Sequence, residues 1–80
     1  MPKYKEGDIL IDKSEYIPFF FKIEKISNKY YHYISLTNSS LKDGLIAGEK
    51  TKCEIFIIDD SKSFLKVTDF NEEIALLLYK

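Results

Sequence analysis

The sequence predicts a mainly β (α+β) domain, a small barrel of about five strands with one C-terminal α-helix. Three observations point there. Residues 19–36, FFFKIEKISNKYYHYISL, hold half of the chain's phenylalanines and tyrosines and read as two strands joined by a turn at Ser27, Asn28 and Lys29. Within them Phe19, Phe21 and Ile23 alternate with Phe20, Lys22 and Glu24, the period of a half-buried strand. Ile26 falls on the wrong parity for that face, so one extra residue near Glu24 and Lys25 is expected, a bulge that bends the strand. The third observation is a capped amphipathic segment at the C-terminus.

Composition narrows the class. Hydrophobic residues at 45% and charged residues at 31% suit a folded domain rather than a disordered chain. We read residues 1–80 as a single domain, with the barrel over roughly 5–68 and the helix over roughly 70–79. A core this small often needs a disulfide, a metal or a partner chain. Cys53 is the only cysteine and His32 the only histidine, so neither a disulfide nor a four-ligand zinc site is expected. No cofactor is implied, and a homo-oligomer is the expected supplement. The N-terminus MPKYKEGD shows no secretory pattern, and no apolar run is long enough to cross a bilayer. A cytoplasmic protein without membrane contact follows as an expectation.

All 12 basic residues are lysines, and the net charge is −1. Bidentate arginine forks for phosphate or guanine are therefore absent, and no global field attracts a nucleic acid backbone. General DNA binding is disfavoured.

In chain order, Gly7 and Asp8 form a turn into a strand over 8–12, with Ile9 and Ile11 on one face. Pro18 suits a strand start or an edge. Residues 37–52 have no clear period and read as a long loop, with Lys42, Asp43 and Gly44 as a turn. Residues 53–59 read as another strand, Ile55 and Ile57 on one face and Phe56 and Ile58 on the other. Asp59 and Asp60 then form a turn, and residues 64–67 a short strand or helical turn. At the C-terminus Asp69 and Glu72 make a capping-box pattern, and Phe70, Ile74, Leu77 and Leu78 share a helix face expected to cover Phe56 and Ile58.

The lead-in at Gly7 and Asp8, a bent strand carrying Lys22-Ile23 and Lys25-Ile26, a Tyr-rich return strand and a later apolar strand together resemble SH3-like small barrels. The pattern is especially similar to small barrels encoded by bacteriophages and prophages, and it covers roughly residues 5–68. The long 37–52 stretch and the C-terminal helix depart from it. What the resemblance implies is an architecture, with the host bacterial cytoplasm as its setting, more than an activity.

Lys29-Tyr30-Tyr31-His32-Tyr33 carries the densest chemistry. Alternation splits it into one set of Tyr30 and His32 and another of Tyr31 and Tyr33. With Ile34 and Leu36 facing the core, Tyr31 and Tyr33 face outward beside Lys22 or Lys25. Rings beside ammonium groups suit a base and its phosphate, and the candidate ligand-binding residues are Lys22, Lys25, Lys29, Tyr31, Tyr33 and His32. The alternative is that the tyrosines are ordinary strand formers whose rings pack. His32 lacks the spacing of a catalytic partner, Cys53 reads as inert, and the two aspartates make too few oxygen ligands for a metal. A phosphate loop is also absent, and no enzyme is expected.

Three readings remain. The first is a small phage-like binding protein that sequesters a cyclic nucleotide or related immune signal of bacterial antiviral defence. The second is an anti-CRISPR-like inhibitor of a host protein complex, and the third a minor phage structural or assembly protein.

Overall fold

One eight-residue strand with a single bulge sets the geometry of the fold. The computed structural model describes residues 2–14, 18–39 and 44–67. In chain order these form β1 (Ile9–Asp12), β2 (Phe19–Ile26), β3 (Tyr30–Ser35), β4 (Lys50–Glu54), α1 (Ile55–Asp60) and β5 (Phe64–Lys66). The strands make one antiparallel sheet in the order β4-β3-β2-β1-β5. Among the described residues this sheet is open, with β4 and β5 at its edges. The expected C-terminal helix lies outside the described residues.

The bulge falls where the parity break in the sequence places it. Ile23 pairs with Tyr33 but Lys25 pairs with His32, so Glu24 is the extra residue. Phe19, Phe21 and Ile23 are buried, as their alternation requires. The turn ahead of β1 also forms as expected. Gly7 takes φ 91°, a conformation that glycine adopts without strain. Asp8 closes the turn through its Oδ2, which accepts from Lys5 N at 2.9 Å.

The core gathers Tyr4, Leu10, Phe19, Phe21, Ile23, Tyr31 and Ile58. Phe21 is its hub, with ring centroids 5.5 Å from Phe19, 4.5 Å from Tyr33 and 5.7 Å from Phe64. Burying each such side chain contributes about 1.5–3 kcal/mol. In β1, Leu10 faces this cluster opposite Phe21, while Ile11, opposite Phe20, is buried on the other side of the sheet. Buried Ser35 anchors the following loop: its hydroxyl donates to Ile46 O, and its backbone carbonyl accepts from Gly48 N at 2.8 Å.

Three expectations are corrected. Residues 55–60 are a helix, not a strand, and β4 starts at Lys50, inside the stretch read as loop. Ile55 N donates to Lys29 O at 2.8 Å, the last backbone bond of this run to the β2–β3 hairpin, and the chain then coils. A short apolar run fits either state by composition, and burial decided it. Ile58 is buried and Ile55 half-buried, three residues apart, whereas Phe56 and Ile57 are exposed. The third correction concerns β3. Tyr31 and Tyr33 face the core and Tyr30, His32 and Ile34 face outward, the reverse of the expected parity.

Candidate binding face

The reversal exchanges which rings reach solvent and leaves the lysines where they can flank them. Residues directly opposite one another in an antiparallel pair share a face. His32 lies between Lys25 of β2 and Lys52 of β4, and Ile34 lies between Lys22 and Lys50. Tyr30 stands opposite Glu54. The outward side of β2, β3 and β4 therefore presents Tyr30, His32 and Ile34 in a central column, with two exposed lysines on each flank.

Local contacts fix this column. Lys52 Nζ sits 4.6 Å from the centroid of the Tyr30 ring, within cation–π range. The Tyr30 and His32 rings meet edge-on at 6.4 Å. Ser27 Oγ lies 3.0 Å from His32 Nε2, tying the imidazole to the β2–β3 turn. Lys50 pairs with Glu24, the bulged residue, at 3.5 Å. Both ends of that ion pair are solvated, so it orients more than it stabilises. A shallow groove of about 310 Å³ runs along Glu24, His32, Tyr33, Lys50, Thr51 and Lys52.

Of the residues expected from sequence, the structure brings Lys22, Lys25 and His32 together on this face. Lys29 stands apart, beside a larger hollow of about 790 Å³ that Ile26, Ile55, Phe56 and Asp59 also line. Tyr31 is fully buried and cannot stack on a ligand. Burial, and next its hydrogen bond to Asp59, push its hydroxyl pKa up to about 12. Tyr33 packs its ring on Phe21 and is half-buried, and it also lines the groove. Tyr30, Lys50 and Lys52 were missed. Tyr30 belonged to the other parity set, and the two lysines lay in a segment without a period. The alternation of exposed lysines with Thr51 and Cys53 was the signal that β4 began there.

Cys53 is half-buried, and burial raises its thiol pKa, so its nucleophilic thiolate is disfavoured. Among the described residues no three His, Cys, Asp or Glu side chains cluster to hold a metal, and no helix is long and apolar enough to cross a membrane. Comparison with known proteins returns no matching family model, no matching curated protein and no matching solved structure.

Proposed function

We propose that the protein is a non-enzymatic binder that sequesters a nucleotide-like anion, a cyclic nucleotide signal of bacterial defence being the fitting class, on the outward side of β2, β3 and β4. The observation that carries this reading is the column of Tyr30 and His32 with exposed lysines on both flanks. Rings supply stacking surface and ammonium groups answer phosphate, on a chain whose net charge is only −1. The phage-type, SH3-like setting is part of the proposal. Of the pattern behind that resemblance, the Gly7–Asp8 lead-in, the bent β2 and the Tyr-rich β3 are present, whereas the later apolar strand is replaced by α1.

Magnitudes constrain the binding mode. One stacked base contributes about 1–3 kcal/mol, and a hydrogen bond to a charged group about 1.5–3 kcal/mol. Nanomolar sequestration requires about 12 kcal/mol. An open face on one chain falls short once ordering costs are included, so a tight complex needs the ligand held from a second side.

A thermal-shift panel of cyclic mono-, di- and trinucleotides and cyclic ADP-ribose isomers tests the reading. A ligand at 100 times its Kd adds about 2.7 kcal/mol, a shift on the order of 10 °C for a chain of this size. No shift with any member sinks the proposal. A second reading, inhibition of a protein partner, is favoured by Phe56 and Ile57, which are 65% and 45% exposed near the larger hollow. Aromatic residues in such positions anchor protein interfaces.

A further inference from the structure

We propose that a second copy of this chain pairs antiparallel along the β4 edge, with the two-fold axis at Lys52, so that two binding faces adjoin. The inference rests on the reading above only for what the dimer holds.

Backbone geometry defines the edge. Ser35 N donates to Glu49 O at 2.9 Å, and Ile55 N donates to Lys29 O at 2.8 Å. Alternate residues of an antiparallel strand exchange hydrogen bonds with the same neighbour. Glu49, Thr51, Cys53 and Ile55 therefore turn their backbone groups to β3. Lys50, Lys52 and Glu54 turn theirs the other way, to the edge that β4 forms among the described residues.

Charge selects the register. Lysines on an edge strand ordinarily discourage pairing, and a two-fold at Thr51 would set Lys50 against Lys52 of the second copy. A two-fold at Cys53 would run Thr51 and Lys50 into α1. A two-fold at Lys52 uses the whole strand and sets each Lys50 opposite Glu54 of the other copy. Opposite charges directly across strands are stabilising.

The one like-charged pair, Lys52 with Lys52 of the second copy, is eased within each chain because the ammonium is drawn back over the Tyr30 ring. An anion bound at the axis would neutralise it further. Dimerisation and anion binding are then coupled, each strengthening the other by the same factor. This is the second side that tight sequestration requires.

Sedimentation of the full chain tests the pairing without any nucleotide. The wild type is expected at about twice the 9.4 kDa chain mass. Lys50→Glu and Glu54→Lys, each placing like charges across the interface, are expected to weaken the dimer roughly tenfold or more. Mixing the two variants, or combining both changes in one chain, restores opposite charges and is expected to restore the dimer. Lys50 is exposed, and Glu54, though half-buried, makes no side-chain cap to α1, so circular dichroism should be unchanged. A monomer at all concentrations, no rescue on mixing, or rapid disulfide cross-linking through Cys53, which signals the other register, overturns the proposal. Nucleotide binding by a persistent monomer would sink the dimer and leave the proposed function standing. A dimer that obeys the charge swap yet gives no thermal shift would do the opposite.

Discussion

The Tyr31 hydroxyl donates a 2.5 Å hydrogen bond to Asp59 Oδ1, joining the start of β3 to the last turn of α1. The same hydroxyl accepts from Tyr4 N at 3.1 Å, and Asp59 Oδ2 accepts from Lys3 N at 3.0 Å. One phenol and one carboxylate thereby hold the N-terminal segment against the sheet and fix the coil at residues 55–60.

Tyr31→Phe keeps the ring and removes the hydroxyl, leaving Tyr4 N without that acceptor and Asp59 without that donor. A loss of about 1–3 kcal/mol is expected, read from urea unfolding. Amide exchange at Tyr4 should accelerate by more than exchange in β2. An unchanged midpoint would show that the link contributes nothing to stability.

Alkaline pH should act through the same hydroxyl. Its folded pKa is raised from 10.0 to about 12, so the fold favours the protonated phenol. The stabilisation is complete below about pH 10 and is lost as pH climbs towards 12. Urea midpoints measured from pH 8 to pH 11 are expected to fall more steeply in the wild type than in Tyr31→Phe. Parallel curves would remove Tyr31 from the account.

Ring truncations should separate core from face. Tyr31→Ala is expected to cost about 3–5 kcal/mol, enough to unfold much of the population in a domain this small. Tyr30→Ala combined with His32→Ala should leave circular dichroism intact and remove nucleotide binding. A double variant that still gives the wild-type thermal shift would rule out the outward column as the site.

Lysine substitutions should report on the flanks. Lys25→Glu and Lys52→Glu border His32 from opposite sides, and each is expected to weaken an anionic ligand by tenfold or more at low salt. Lys62→Glu, exposed and away from this face, is the control. Equal losses at all three would mean that general charge, not this site, governs binding.

Ser35→Ala removes the buried hydroxyl that donates to Ile46 O. A cost of about 1–3 kcal/mol is expected, with faster amide exchange at Gly48 and Glu49 ahead of β4. Unaltered exchange there would show that the loop is held by its backbone bonds alone.

Local pattern determined much of this protein. The buried side of β2, the bulge at Glu24, the Ser27–Lys29 turn and the Gly7–Asp8 turn all follow from parity and turn chemistry confined to a few residues. Tertiary structure decided which side of β3 faces the core. Tyr30–Tyr33 is polar and aromatic on both faces, and a period of two makes a one-residue slip invert every side chain. Facing inward, the Tyr31 hydroxyl donates to Asp59 and accepts from Tyr4 N, partners that lie 28 and 27 residues away in the chain. Likewise a run of isoleucines and one phenylalanine has no intrinsic choice between strand and helix. Residues 55–60 coil because turning there sends Ile58 into the core, a gain that exists only once the sheet is assembled.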